Sequence, residues 1–272
     1  MTKHDALAGR TVVVTRAASQ ATDLIKGLEH YGATVVSCPL IEIRAPENYD
    51  QLDEAIDHLY GYDWVIFTSS NAVEYFLKRL SDKNVAIGEL DEIKVAAIGE
   101  SSADRLRDLQ VHVDVVPNVS KSEGVFASLA DFVGGSDHLR GLNFLMPRAA
   151  VARDYLPKAL EAANARVDVV TAYQNVVPAD LDRGRFSAML AGGTDCIAFT
   201  SSSTVKNLAL LFDTNDLSQT LKGLTIACLG DITAATAIQF GLQPSIQPTR
   251  ATTNEFAEAI AKYFAERSFP VN

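Results

Sequence analysis

The sequence predicts an α/β protein built from two similar parallel-sheet domains, each with helices on both faces of its sheet. Three observations carry this reading. Short continuous apolar runs (residues 11–15, 64–67, 95–98 and 226–229) have strand length, far below a membrane span. Amphipathic stretches of helical period alternate with them, the pattern of parallel strands covered on both sides. The whole pattern also occurs twice along the 272 residues.

The repeat is read from four matches. Val12-Val-Val-Thr-Arg16-Ala-Ala returns as Phe144-Leu-Met-Pro-Arg148-Ala-Ala, and Phe67-Thr-Ser-Ser-Asn71-Ala-Val73 as Phe199-Thr-Ser-Ser-Ser203-Thr-Val205, both 132 residues on. Ala96-Ala-Ile-Gly99 returns as Ala227-Cys-Leu-Gly230, and Pro117 as Pro248, both 131 residues on. Strand-to-helix joints look alike anywhere, because glycine and hydroxyl residues are favoured there. A constant offset is not explained by that resemblance, so the chain is read as a duplication.

Each element follows from local chemistry. The β-branched run at 11–15 is a strand; Leu24, Leu28 and Tyr31 then mark one face of a helix that Gly32 ends. In the second copy Leu156, Leu160 and Ala163 repeat that face, and Asn164 takes the glycine's place as the other residue that tolerates a left-handed backbone. Onward from 34–36, strands are expected at 64–68, 94–98 and 113–116, with helices at 50–59, 71–80, 102–109 and 122–132.

Composition narrows the function. The chain is 47% hydrophobic and 21% charged, with a mean hydropathy of +0.06, enough apolar material for two cores. A net charge of -10 and a pI near 5.0 argue against a general nucleic-acid or anionic-membrane binder. Residues 1–10 are polar, so no secretory leader is expected. Cys38, Cys196 and Cys228 form no CxxC and suit buried positions in a reducing compartment. The five histidines lack metal-ligand spacing, so no metal site is expected.

The polar motifs all close a strand and open a helix, where parallel sheets bind ligands. Thr68, Ser69, Ser70 and Asn71 do so in one copy, and Thr200, Ser201 and Ser202 in the other. Ser102 and Thr233 occupy matching places one strand later, and Arg16 and Arg148 end the first strand of each copy. Free backbone N–H groups, helix dipoles and small hydroxyls suit carboxylates or phosphates. The same serines and threonines equally suit helix capping, and the two arginines equally suit pairing with acidic neighbours. Nucleotide fingerprints (GxGxxG, GxxxxGK[ST]), GxSxG and HExxH are all missing. Many donors with few titratable groups point to positioning and electrostatic stabilisation.

Taken in order, V-T-R near the start, P-x-I-E-I at Pro39–Ile43, D-x-V-I-F-T-S-S-N-A-V from Asp63 and I-G at Gly99 resemble the uroporphyrinogen-III synthase family. R-A-A at Arg148, Tyr173, F-T-S-S at Phe199 and G-x-x-T-A at Gly230 continue the series. The resemblance runs from about Arg10 to Phe264. It implies a lyase of tetrapyrrole (haem) biosynthesis that closes hydroxymethylbilane with loss of water and inversion of its last ring. It further implies that no cofactor is needed; with the acidic charge, the polar start and the strand-length apolar runs, the expectation is a monomeric cytoplasmic enzyme with no nucleic-acid partner and no membrane association. By the same resemblance Tyr173 would protonate the departing hydroxyl, and the motif hydroxyls would lie near the substrate carboxylates. Ser102 stands where a threonine is common, and Ile232 leaves Thr233 alone at its joint.

The family's fold implies two α/β domains joined by a two-stranded linker, with a cleft between them. On that pattern residues 1–37 and 177–272 form one discontinuous domain and 45–170 the other. Residues 38–44 and 171–176 are the linker strands. The copies would then exchange their first strand–helix–strand units. A competing expectation of another class is a non-catalytic two-domain sensor for a small anion.

Overall fold

The computed structural model describes residues 5–267. The chain begins with β1 (Thr11–Val14), α1 (Thr22–His30), β2 (Thr34–Ser37) and a short β3 (Glu42–Arg44). It continues through α2 (Asp50–Asp57), β4 (Trp64–Phe67), α3 (Ser70–Asp82), β5 (Lys94–Ala97), α4 (Glu100–Arg107) and α5 (Ser122–Phe132). The second copy supplies β6 (Asn143–Ala149), α6 (Tyr155–Ala162), β7 (Arg166–Val176) and α7 (Arg183–Ala191). Last come β8 (Cys196–Phe199), α8 (Ser202–Phe212), β9 (Thr225–Cys228), α9 (Asp231–Gln239), β10 (Pro244–Ile246) and α10 (Thr253–Arg267).

These elements form two compact units. One takes the chain up to Glu42 and from Val176 onward; the other runs Ile43–Asn175. The first unit holds a five-stranded sheet in the order β2-β1-β8-β9-β10, with parallel pairing along it. The second holds β3-β7-β6-β4-β5, where β7-β6, β6-β4 and β4-β5 are parallel. Once the copies are matched, the two orders agree over four strands: β6 and β7 stand where β1 and β2 stand, and β4 and β5 where β8 and β9 stand. Each sheet therefore combines the opening strand–helix–strand unit of one copy with later strands of the other. β7 runs unbroken across residues 170 and 171, where the sequence suggested a boundary, and β3 lies beside it.

The periodicities predict the buried faces. Leu24 and Leu28 of α1, and Leu156 and Leu160 of α6, are fully shielded. The chain after α1 turns at Gly32 with φ +87°, and after α6 at Asn164 with φ +61°, both left-handed. The apolar strands β4 and β8 are buried at every residue, as parallel strands covered on two faces must be.

The strand expected at 113–116 is reduced to one bridge between Ala96 and Val115. Its counterpart in the other unit is β10. The Asp114 carboxylate accepts the Val95 N–H at 2.8 Å, so a side chain takes a donor that a strand backbone would otherwise pair.

Candidate functional site

In both units the strand order reverses beside the first strand of a copy: between β1 and β8 in one, between β6 and β4 in the other. Open parallel sheets bind ligands at such a reversal, beyond the strands' carboxyl ends. The predicted residues of each unit lie along that edge.

In the unit containing β1, Thr15 is fully buried and donates its hydroxyl to the Ala198 carbonyl at 2.8 Å. This latch fixes the end of β1 against β8. Arg16 follows, half-buried, with its Nε shielded from solvent and without a hydrogen-bond partner. Burial pulls the guanidinium below its usual pKa, and the charge of Asp23 opposes that shift. Thr200 is half-buried where β8 ends. Ser201 caps α8, its Oγ accepting the Thr204 N–H at 3.4 Å. Ser202 donates to the Ile232 carbonyl at 3.1 Å, and Thr236 Oγ1 lies 2.9 Å from Ser202 Oγ. Thr233 is buried on α9, whereas its neighbour Ile232 is 54% exposed.

In the unit containing β4, Ser69 caps α3 by accepting the Ala72 N–H at 3.1 Å. Tyr173 on β7 brings its phenol oxygen within 3.0 Å of the same Ser69 Oγ. Its ring is only 6% exposed and lies nearly parallel to Tyr75, with centroids 5.8 Å apart. Tyr75 is held in turn by its hydroxyl, which donates to the Ile43 carbonyl at 2.9 Å. Ser70 Oγ meets Ser101 Oγ at 2.8 Å, joining the first turns of α3 and α4. Thr68 and Asn71 are half-buried beside them, and Ser102 is buried.

Arg148 behaves unlike Arg16. Its Nη2 contacts Asp154 Oδ1 at 2.8 Å and its Nη1 donates to the Arg153 carbonyl at 3.0 Å. The arginine holds the Asp154 carboxyl below its usual pKa. Arg148 therefore makes its contacts within its own loop.

Sequence reasoning passed over two features. Ser101 lies inside the motif but was not singled out as the partner of Ser70. Asp63 and Asp195, also 132 residues apart, bind the strand starts at the opposite edge. The Asp63 carboxylate accepts the Asn143 N–H at 2.8 Å, and the Asp195 carboxylate accepts the Thr11 N–H at 2.8 Å. The repeat offset was the signal that could have found that pair. Among the described residues no group of three or more His, Cys, Asp and Glu could hold a metal ion, and no helix is long and apolar enough to cross a membrane.

Two doubly wound units with hydroxyls, amides and an arginine along their carboxyl edges define an α/β protein with polar strand-to-helix joints. The comparisons narrow that class. The family described as Uroporphyrinogen-III synthase HemD matches residues 22–258. A uroporphyrinogen-III synthase of Synechococcus elongatus is 30% identical over 234 residues, covering 85% of this chain and 86% of that one. That of Chlorobaculum parvum is 29% identical over 255 residues, covering 93% and 98%. A solved uroporphyrinogen III synthase from Thermus thermophilus superposes with a TM-score of 0.68 at 18% identity, covering 96% and 100%, which supports the shared fold. The chain belongs to the uroporphyrinogen-III synthase family.

Proposed function

We infer that this protein is a cyclising lyase of tetrapyrrole biosynthesis. It closes hydroxymethylbilane to uroporphyrinogen III with loss of water and inversion of ring D. The observation that carries this is the family match across residues 22–258. The polar edges of the two sheets add a chemical reason, because the linear tetrapyrrole carries many carboxylates. The non-catalytic sensor has no comparable support.

The chemistry asks little of the protein in covalent terms. Loss of the hydroxyl leaves an azafulvenium cation; attack at the substituted carbon of the last ring gives a spiro intermediate, which reopens and closes inverted. The enzyme's task is to fold the chain and hold it while the cation forms. In this proposal Thr68, Ser70, Asn71 and Ser102 serve carboxylates on one unit, and Arg16, Thr200, Ser201, Ser202 and Thr233 on the other. Tyr173 and Ser69 act as a pair: Ser69 gives its proton to the departing hydroxyl and recovers one from the phenol, so the leaving group departs as water. The phenol oxygen lies 3.0 Å from Ser69 Oγ, close enough for that transfer. The proposal further takes the enzyme to be monomeric, cytoplasmic and independent of metal or organic cofactor, as the sequence and the resemblance imply.

The test is a coupled assay in which hydroxymethylbilane is generated in place and the oxidised porphyrin isomers are separated. Uncatalysed closure gives the uninverted type I isomer. Predominant type III is expected, and type I alone from folded protein would overturn the assignment.

A further inference from the structure

The duplicated arginines have diverged. Arg148 spends its donors on its own loop: one nitrogen on Asp154 and one on the Arg153 carbonyl. Arg16 has no such clip. Its Nε is the one buried side-chain nitrogen or oxygen among the described residues that lacks a hydrogen bond, and no described carboxylate pairs with it. Asp23 acts on it only at longer range. Unpaired buried donors are costly and rare enough to call for a reason.

Position supplies the reason. Val14 pairs with Ala198, so Arg16 and Thr200 leave the sheet from adjacent strand ends at the reversal of strand order. The edge there carries the hydroxyls of Thr200, Ser201 and Ser202, and the Asp23 charge reaches the guanidinium without a direct ion pair. We propose that Arg16 is the principal carboxylate anchor of this enzyme, taking one acidic side chain of the linear tetrapyrrole, and that Arg148 has become a clip for the loop at 149–154. The inference rests on the enzyme reading above and deepens it: of two arginines that arose as equivalents, only one meets substrate. A guanidinium left unpaired by the fold is ready for a carboxylate and needs no existing ion pair to break first.

The experiment compares Arg16→Gln, Arg16→Lys and Arg148→Gln by steady-state kinetics, thermal melting and fluorescence titration with uroporphyrin III, a stable polycarboxylate close to the product. Arg16→Gln should raise KM and weaken uroporphyrin III binding by about tenfold or more, the size of one lost charge-assisted contact. Its kcat should change less and its melting midpoint should hold or rise, because a buried Nε without a hydrogen-bond partner has gone. Arg16→Lys should recover part of the binding. Arg148→Gln should lower the melting midpoint and leave KM within about twofold of the parent. Equal KM changes in the Arg16 and Arg148 variants would overturn the proposal, as would full uroporphyrin III binding by Arg16→Gln. A parent protein that binds uroporphyrin III through Arg16 but yields only type I isomer would overturn the enzyme reading and leave the anchor standing.

Discussion

At the scale of single residues, Tyr173 and Ser69 have to be considered together. The tyrosine ring is buried against Tyr75, so part of its role is packing. Its hydroxyl meets an oxygen that already caps a helix, so removing either group disturbs the other. The two substitutions separate these effects. Tyr173→Phe keeps the ring and the cap, and should cost at most about 1 kcal/mol in a melting experiment. If the pair delivers the proton, kcat should fall about tenfold with KM nearly unchanged. That loss is below the usual general-acid effect, because this leaving group ionises readily. Ser69→Ala removes cap and relay together, so both stability (about 1 kcal/mol) and kcat should fall. Unchanged kinetics in Tyr173→Phe would leave the tyrosine a packing role only. Sequence reached both residues, one by its motif and one by family resemblance. It could not reach the burial of the phenol, or the clip on Arg148, because Arg153 and Asp154 lie in a loop whose course no periodicity encodes.

At the scale of elements, what repeats was legible and what departs from the repeat was not. Helix faces, strand starts and the left-handed turns at Gly32 and Asn164 all follow local rules. The strand expected at 113–116 failed because Asp114 replaces a ladder bond with a side chain, a competition that propensity does not register. Another such tie joins α2 to α3: Arg79 Nε donates to Asp53 Oδ1 at 2.6 Å, with the guanidinium 4.2 Å from the Tyr49 ring centroid. The hydrogen bond from Arg79 lowers the Asp53 pKa from its ordinary 3.8. A carboxyl depressed in the folded state stabilises the fold above its unfolded pKa, and that contribution fades as pH falls through the folded value. Melting curves of the parent and Asp53→Asn should therefore be well separated near neutrality. They should draw together as pH drops below about 4. A separation independent of pH would mean that the ion pair contributes no pH-dependent stability.

At the scale of the whole molecule, the question is why each copy does not close on itself. Since β1 is the counterpart of β6, a lone first copy could in principle pair β1 with β4. Side-chain size at one register position argues against it. Phe144 sits beside Trp64 across β6 and β4, their rings stacked with centroids 6.3 Å apart. At the equivalent position in the other sheet Val12 sits beside Cys196. A first copy closed on itself would put Val12 beside Trp64 and leave a deficit equal to the volume by which Phe exceeds Val, in a core packed to native density. The larger residues are thus matched to each other, and so are the smaller, which favours the exchanged pairing over the local one. Two fragments test this. Residues 43–175 contain β4 to β6 and nearly all of β3 and β7, and should melt cooperatively when expressed alone. Residues 1–132 hold a complete first copy but lack β6, β7 and β8, so Val12–Val14 keep β2 but lose β8, and Trp64–Phe67 keep β5 but lose β6. That fragment should bind hydrophobic dyes and show no sharp transition. If it instead melts as sharply and at as high a temperature as residues 43–175, the size match is not what selects the exchange. Filling the deficit would then be unnecessary, and Val12→Phe in the fragment should add no stability; if the size argument holds, the same substitution should begin to restore cooperativity.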